Sequence, residues 1–226
     1  MELRALAADH GAARARRAQA IGELGQLRDW RSVPLLVELV GDPASYLHQD
    51  AAVALGLIGS TKACPGLVAV LSGSTDRRCR EAAAIALRLI RCKEALEVLL
   101  GKANDLNEDA DVRGVVIEAL ANLAEFAPAV RRRVQGPLLH ALEDGAPVVS
   151  FWACFAIAVT GDEAALPVLR RLAEHDQAIV PGWWSVAGEA RWAAAVIEGD
   201  PQAEQLEDAN NATRIFSRHP PESPRR

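Results

Sequence analysis

One six-residue motif returns, with drift, along most of the sequence. Its clearest copy reads Ala54-Leu55-Gly56-Leu57-Ile58-Gly59, and related copies end at residues 25, 91, 124, 161 and 199. The steps between successive copies are 34, 32, 33, 37 and 38 residues. A period of this length is typical of helical repeat arrays, in which each repeat buries its apolar face against its neighbours. We therefore expect one quasi-linear body rather than two ordinary domains.

Each repeat is predicted to be a pair of helices, because a second helical pattern lies between successive motifs. Alanine supplies 43 of the 226 residues, against 1 tyrosine and 4 phenylalanines. Alanine has the highest helix propensity, and its small side chain lets helices pack closely. The motif closes the second helix of each pair, and glycines 25, 59, 161 and 199 stand where a left-handed C-cap would end that helix.

The pattern predicts twelve or thirteen helices and no strands. The expected first helices span 32–40, 62–71, 93–103, 129–142 and 163–173, and the expected second helices span 12–24, 46–58, 78–90, 112–123, 148–160 and 186–197. A short polar helix over 202–210 is expected to cap the array. Residues 211–226 contain three prolines and few apolar residues, which predicts a disordered tail. The predicted domain therefore spans residues 1–210.

These repeats resemble HEAT repeats, in particular those of the bilin-lyase-like type. The resemblance covers about residues 12–200. It rests on second helices of the form Val-Arg-x-x-Ala-x-x-Ala-Leu-Gly-x-Ile-Gly, on an aspartate near the end of most first helices, and on a recurring proline at Pro34, Pro65, Pro137 and Pro167. It implies an all-α fold, a right-handed α-solenoid of five to six HEAT-like helical pairs.

The resemblance also implies a ladder of ion pairs between neighbouring repeats. An arginine eleven residues before the closing position of a second helix would pair with the preceding aspartate of the array. Such pairs contribute about 1 kcal/mol or less each where they are exposed to solvent. The expected members are Arg14, Arg80, Arg113, Asp42, Asp76 and Asp144.

A stripe of large apolar residues on the second helices is the strongest functional signal. The second helices of a HEAT-like array line its concave side, where the resemblance implies polar residues. An exposed apolar stripe is typical of an interaction site, so we predict that it holds a protein partner, either an amphipathic helix or a second copy of the chain. Its members are Val53, Leu57, Ile85, Leu89, Trp152 and Phe155. Alternatively, the helical phase differs by one residue, or superhelical twist buries the stripe.

A cluster of tryptophans lies near the C-terminal end of the array. Four of the 5 tryptophans fall between Trp152 and Trp192, and two of them, Trp183 and Trp184, lie in the long loop of the last repeat. Tryptophan is enriched in interface hot spots, so both loop residues join the predicted partner site. The alternative is that they fill the gap made by the longer last repeat.

No catalytic residue, metal site or cofactor is predicted. The sequence lacks a nucleophile elbow, a P-loop and metal-spaced Cys/His sets, and His48-Gln49-Asp50 is a single imperfect copy of the His–carboxylate pairs of HEAT-fold hydroxylases. The cysteines lie in apolar helical patterns and are interpreted as buried free thiols of a reducing compartment. They are Cys64, Cys79, Cys92 and Cys154.

Charge and targeting signals complete the functional hypothesis. The net charge of −5 argues against general nucleic-acid binding. The N-terminus lacks an apolar signal-peptide core and no apolar run could span a bilayer, so we expect a cytoplasmic protein, and the excess of arginine over lysine suggests a bacterial source. The expected function is a non-catalytic protein-interaction scaffold. The alternative is a HEAT-fold enzyme or ligand binder, bilin-lyase-like or DNA-repair-like, that uses the Trp-rich C-terminal end.

Overall fold

The computed structural model describes residues 2–203, 205 and 206. Twelve α-helices follow one another in this part of the chain, which has no β-strand and a single isolated bridge between Ile179 and Ser185. The helices are α1 Glu2–Ala8, α2 Arg14–Gln26, α3 Val33–Gly41, α4 His48–Ile58, α5 Cys64–Gly73, α6 Arg77–Ile90, α7 Leu96–Ala103, α8 Ala110–Phe126, α9 Pro128–Leu142, α10 Pro147–Thr160, α11 Leu166–His175 and α12 Val186–Glu198.

The helices form six pairs, from α1 with α2 to α11 with α12. The main contacts join each helix to its own partner and each second helix to the second helix of the next pair. Contacts are therefore local along the array, as expected of an α-solenoid. The prediction of an all-α solenoid of helical pairs is confirmed, and the predicted helix bounds agree with the observed ones within three residues. Helix α1 was not predicted.

Short 3-10 turns precede four of the first helices, at Trp30–Ser32, Thr61–Ala63, Lys93–Ala95 and Glu163–Ala165. In three of these repeats the first α-helix has proline in its first turn, at Pro34, Pro65 and Pro167, where an N–H has no acceptor in the helix. Pro137 differs, because it lies inside α9, which already begins at Pro128.

The motif alanines lie in the core as predicted. Ala54, Ala86, Ala119 and Ala156 are all buried. Three of the four closing glycines end their helices as predicted. Gly59, Gly161 and Gly199 are left-handed C-caps with φ of 67°, 68° and 68°.

The prediction that Gly25 ends its helix is wrong, because α2 continues to Gln26. A Cβ atom at Gly25 would lie 2.9 Å from the Cα atom of Ala54. This glycine is therefore required by the close approach of α2 and α4 rather than by a turn.

The ion pairs between repeats differ from the predicted ladder. Arg113 pairs with Asp144, but Asp144 belongs to the following repeat, so the tie runs forward along the array. Arg80 pairs with Glu108 at 2.7 Å instead of with Asp76, since the longer glutamate side chain reaches it from the next repeat. Asp76 instead caps α6 and pairs with Arg78 at 2.7 Å.

Two further members of the predicted ladder make no such tie. Arg14 is exposed and has no ion pair with a described residue. Asp42 accepts a hydrogen bond from the backbone N–H of Ala44 at 2.9 Å and so stabilises its own loop. In the first repeat the buried arginine is Arg17, whose Nε donates to the carbonyl oxygen of Ala7 at 3.0 Å.

All four cysteines are buried, but the interpretation that all are free thiols is wrong. Cys64 and Cys92 form a disulfide with a Cα–Cα distance of 6.1 Å. Cys79 and Cys154 are free and buried, as predicted. The two paired residues are 28 positions apart, and each looks like an ordinary apolar position in its own helix-turn segment.

Two predicted segments fall wholly or largely outside the described residues. They are the capping helix over 202–210 and the tail over 211–226. Of the first segment only residues 202, 203, 205 and 206 are described, residue 202 as a turn and the other three as helix. Within the described residues, no helix combines the length and the apolar composition that crossing a membrane requires.

Candidate partner-binding groove

Four consecutive second helices, α4, α6, α8 and α10, line one open groove of about 680 Å³. The loop between α11 and α12 adds three further residues to its wall. The lining residues are Gln49, Val53, Arg77, Glu81, Ile85, Arg88, Asp111, Val115, Glu118, Val148, Trp152, Val180, Pro181 and Trp183.

The predicted stripe is accessible to solvent, and half of the predicted partner residues meet in the groove. Val53, Ile85, Trp152 and Trp183 line it. Val53 is 43% exposed, whereas the other three are half-buried. Ile85 and Trp152 also pack against the buried core of the solenoid, so they belong partly to the core and partly to the surface.

The other predicted partner residues lie outside the groove lining. Leu57 and Leu89 are exposed on the same helices. Phe155 is half-buried, with its ring stacked on that of Trp192 at a centroid distance of 6.2 Å. Trp184 is half-buried, and its Nε1–H donates to the carboxylate of Glu189 on α12 at 2.7 Å.

Three of the large stripe residues lean across a glycine of the preceding second helix. A Cβ atom at Gly56 would lie 2.6 Å from the Cβ of Leu89, and one at Gly114 would lie 2.9 Å from Cδ1 of Trp152. Likewise, a Cβ at Gly25 would lie 3.2 Å from Cδ1 of Leu57. Glycine at these positions lets the side chain of the next helix lie flat over the backbone. The stripe thus contributes to helix packing while still exposing apolar surface.

The C-terminal wall of the groove is held by a cluster of aromatic rings. The buried ring of Phe151 contacts Trp152, Trp183 and Trp184 at centroid distances of 5.5, 5.8 and 5.6 Å. Trp152 and Trp183 are in edge contact with each other at 5.0 Å. Such edge-to-face pairs are favourable beyond the area they bury.

The loop that carries Trp183 is ordered by its own backbone. The N–H of Val180 donates to the carbonyl of Trp184 at 3.1 Å, and the N–H of Trp183 donates to the carbonyl of Val180 at 2.9 Å. Gly182 has a φ of 83°, which permits the tight turn. Trp183 therefore lies on the groove, whereas Trp184 is tied to Glu189 of α12.

Charged residues surround the apolar floor, and its arginines are paired with carboxylates of the protein. Arg77 donates to Asp111 at 2.8 Å and to Asp109 at 3.3 Å. Arg88 donates to Glu118 at 2.9 Å. Burial raises the pKa of Glu118, and the positive charge of Arg88 opposes this effect without cancelling it. Two arginines face three carboxylates in the lining, so the groove has a net negative charge.

Sequence reasoning missed most of the charged lining and also Val148, Val180 and Pro181. The signal was present in the spacing, because Arg77, Glu81 and Ile85 follow one another at four-residue steps and hence share one face of α6. The same step joins Val148 to Trp152 on α10. The loop residues Val180 and Pro181 carry no such periodicity.

The single His–carboxylate candidate is a structural residue. His48 is buried at the start of α4, and its Nε2 lies 2.7 Å from the carbonyl oxygen of Asp42. This contact fixes the turn between α3 and α4. Glu189 and Arg191 of α12 lie in different surroundings. Glu189 is buried and accepts a hydrogen bond from Trp184, whereas Arg191 is exposed.

Comparison with known proteins agrees with this architecture. The family model for HEAT repeats matches residues 2–88 and 96–186. The chain therefore belongs to the HEAT-repeat family. No curated protein sequence matches it.

Solved structures with a similar fold include two engineered proteins. The first is 21% identical with a TM-score of 0.55, and the match covers 88% of this chain and 96% of the engineered one. The second is 21% identical with a TM-score of 0.54, covering 92% of this chain and 61% of the other. A third, the complex of CpcE and CpcF of phycocyanin lyase from Nostoc sp. PCC7120, is 19% identical with a TM-score of 0.49, covering 93% and 80%. At these identities the likeness concerns the fold alone.

Proposed function

We propose that this protein is a non-catalytic interaction scaffold that holds an amphipathic helix of a partner protein in the groove between α4 and α10. One observation carries the proposal: accessible apolar side chains of four consecutive helices and of one ordered loop converge on a single groove. Apolar side chains that remain accessible in a concave site beside a few polar groups are typical of a binding surface.

The form of the groove favours a helix as the partner. It extends across several parallel rows of side chains, with Val53 contributed by α4, Ile85 by α6, Val115 by α8 and Trp152 by α10. A helix laid across these rows would present apolar residues at i, i+3 or i+4, and i+7. The half-buried Trp152 and Trp183 are suited to be the dominant contacts, because large aromatic residues at the closed part of an interface usually contribute most to affinity.

The charge of the groove favours a partner helix whose apolar face is flanked by lysine or arginine. The lining contains two arginines and three carboxylates, so its formal charge is negative whatever pairs these groups form. Complementary charge on the partner would speed association and fix the orientation of the helix. The same excess of carboxylates opposes the phosphate backbone of a nucleic acid.

The test uses a designed probe rather than an unknown ligand. A fluorescent 20-residue helical peptide with leucines on one face and lysines beside them would be titrated with the protein, and anisotropy would be recorded. We expect the peptide to bind, the same peptide with glutamates in place of the lysines to bind at least about tenfold more weakly, and a single-stranded oligonucleotide not to bind. Tenfold corresponds to about 1.4 kcal/mol.

Val53→Asn is the matched site variant, because Val53 is exposed within the groove and a neutral polar side chain removes its apolar contact without adding charge. Leu106→Asn is its control, since Leu106 is 79% exposed and is not part of the groove lining. We expect Val53→Asn to reduce peptide affinity about tenfold or more at an unchanged melting temperature, while Leu106→Asn binds as the wild type does. Equal affinity of the two variants, or equal binding of both peptides, would reject the proposal.

A further inference from the structure

Two cysteines from neighbouring helical pairs meet inside the solenoid, next to the helices that form the groove. Cys64 is the first residue of α5, and Cys92 is the N-cap of the 3-10 turn that precedes α7. Both are nearly inaccessible, at 2% and 1% exposure, and they are joined by a disulfide. The bond therefore ties the beginning of the third helical pair to the beginning of the fourth.

The other repeats show what these two positions normally hold. The residue equivalent to Cys64, which opens the first helix after its 3-10 turn, is apolar elsewhere, as in Val33, Leu96 and Leu166. The residue equivalent to Cys92 is the polar N-cap of the 3-10 turn, namely Asp29, Ser60 or Asp162.

Cysteine at the second position lacks the capping hydrogen bond that two of the three equivalent residues, Asp29 and Asp162 but not Ser60, make. Asp29 accepts from the N–H of Arg31 at 3.2 Å, and Asp162 accepts from the N–H of Ala164 at 3.1 Å. Cys92 makes no side-chain cap hydrogen bond in its turn and is buried, whereas the three equivalent residues are half-exposed. A polar cap has thus been replaced by a buried sulfur at the one position that reaches Cys64.

The remaining cysteines provide an internal contrast. Cys79 and Cys154 are buried without a sulfur partner. Burial raises the pKa of both thiols, most strongly at Cys154. A thiol with a raised pKa is rarely a thiolate at neutral pH and reacts slowly, so neither competes for the bond between Cys64 and Cys92.

We propose that Cys64 and Cys92 are a redox modification site whose reversible disulfide locks the third helical pair to the fourth and so fixes the spacing of α6 and α8 in the groove floor. Helices α5 and α6 lie within the loop that the bond closes, and α7 and α8 follow it directly. With the bond formed, the two pairs move as one unit. With the bond reduced, they are held by packing and by ion pairs such as that of Arg88 with Glu118.

The bond forms by two thiol–disulfide exchanges with a small-molecule disulfide of the glutathione type. The thiolate of one cysteine attacks a sulfur of the small molecule, forms a mixed disulfide and releases one small thiol. The thiolate of the second cysteine then attacks the protein-bound sulfur and releases the other. In total the two cysteines lose two electrons and two protons, and the small-molecule disulfide takes these up and becomes two thiols. Because both sulfurs are buried, exchange requires a local opening of the turn at residues 92–95.

The first test counts free thiols by mass spectrometry. The protein would be equilibrated with oxidised or reduced glutathione, unfolded in acid, alkylated and weighed. We expect two alkyl groups after oxidation, both mapping to Cys79 and Cys154, and four after reduction. Cys92→Ser should accept three after reduction; after oxidation it has no second thiolate to release glutathione from Cys64, so it should carry three alkyl groups, or two and one glutathione, and no internal bond. Four alkyl groups on the wild type after oxidation, or a bond that maps to any other pair, would overturn the proposal.

The second test asks whether the bond acts on the groove helices. Hydrogen exchange of the oxidised and reduced protein would be compared, with Cys92→Ser as the variant that cannot respond. We expect reduction to speed exchange in α5 to α8 and to lower the melting temperature by about 5 °C or more, with α1 to α3 and α12 unchanged. Exchange that changes nowhere, or uniformly along the chain, would contradict the proposal.

A metal assay tests the alternative that the two cysteines bind a metal ion. The carboxylate of Glu94 lies within 3.4 Å of the Cys92 sulfur, so Cys64, Cys92 and Glu94 together provide three possible zinc ligands. One equivalent of zinc retained by the purified reduced protein, with loss of zinc in Glu94→Gln, would replace the redox proposal by a metal site. Absence of zinc together with the two-thiol count supports the disulfide. Neither result depends on what the groove binds.

Discussion

Replacing Glu108 with glutamine tests how strongly the buried ion pairs between repeats stabilise the solenoid. The carboxylate of Glu108 is 1% exposed and accepts from Arg80 at 2.7 Å, from Lys102 at 2.6 Å and from the backbone N–H of Asp109 at 2.9 Å. Arg80 belongs to α6, whereas Lys102 and Asp109 lie on either side of the loop before α8. Glutamine keeps the shape of this side chain but removes its charge and turns one acceptor into a donor that faces two cations.

The expected loss of stability follows from the burial of the three partners. Removing one partner of a fully buried ion pair costs about 3–5 kcal/mol. Arg80 and Lys102 keep 16% and 17% of their side-chain surface, so water can partly compensate them after the substitution. We therefore expect a loss of about 2–3 kcal/mol at neutral pH. For a chain of this size that corresponds to a fall in melting temperature of about 5–10 °C.

The loss should depend on pH with a defined sign. Burial would raise the pKa of Glu108, but hydrogen bonds from Arg80 and Lys102 outweigh it and lower this pKa from 4.5 to about 2. The folded state thus holds the proton more weakly than the unfolded chain does. The stabilisation is complete above pH 4.5 and is lost as the pH falls towards 2. The difference between wild type and Glu108→Gln should accordingly narrow over this interval.

Urea denaturation at pH 7, 4 and 2.5, followed by circular dichroism, measures this difference. Glu97→Gln is the matched control, because Glu97 also pairs with an arginine, Arg133, of a neighbouring repeat but is 73% exposed. Exposed pairs contribute at most about 1 kcal/mol, so this variant should differ little from the wild type. The reasoning is refuted if the two variants have the same stability at pH 7, or if the loss in Glu108→Gln grows on acidification.

Three further predictions concern packing and the groove. Ala86 is fully buried between helices, so Ala86→Leu should overpack the core and cost about 1–3 kcal/mol, measured as a lower melting temperature. A Cβ at Gly114 would lie 2.9 Å from Trp152, so Gly114→Ala should displace that ring and alter tryptophan fluorescence and peptide affinity together. Because burial raises the pKa of Glu118, this residue should lose its charge at a higher pH than an ordinary glutamate, so acidification should weaken binding of the lysine peptide; the same pH dependence of binding in Glu118→Gln as in the wild type would contradict this.

The architecture could be predicted because a solenoid is built from local contacts that repeat in the sequence. The motif period located six second helices, and the glycines at 59, 161 and 199 located three of their ends. At Gly25 the motif led to a wrong prediction of a helix end, because this glycine instead permits the close approach of α2 to α4. Whether a glycine supplies a positive φ or an absent side chain depends on the neighbouring helix, which the motif alone does not contain.

The pairings between repeats were less predictable, because they depend on loop geometry. Helix α7 ends at Ala103, and the segment 104–108 brings Glu108 instead of an aspartate to Arg80. The disulfide was not predicted for a similar reason, because Cys64 and Cys92 occupy different positions of their repeats. Three of the predicted helical residues, Val53, Ile85 and Trp152, do line the groove, since the 3.6-residue period of a helix fixes which side chains share a face. The loop that adds Val180 and Trp183 has no period from which its path could be read.

Two glycines at equivalent positions of the motif differ in how closely the next second helix packs against them. Gly22 and Gly56 hold the same third place in the motif, on α2 and α4. A Cβ at Gly22 would meet nothing within 4 Å, whereas one at Gly56 would lie 2.6 Å from the Cβ of Leu89. The Cβ of Leu89 is fixed to the backbone of α6, so the overlap could be relieved only by moving the two helices apart.

Identical substitutions at these two matched sites should therefore have opposite effects. Gly22→Ala should stabilise the protein by about 0.5–1 kcal/mol, because alanine restricts the unfolded chain and favours helix. Gly56→Ala has the same intrinsic gain, but separating α4 from α6 costs about 1–3 kcal/mol, so it should lower the melting temperature by several degrees. Stabilisation of both variants, measured by calorimetry, would show that helix propensity alone governs the motif, and destabilisation of Gly22→Ala would contradict the open space found there. Opposite signs would show that the close approach of α4 and α6 at Leu89 outweighs helix propensity.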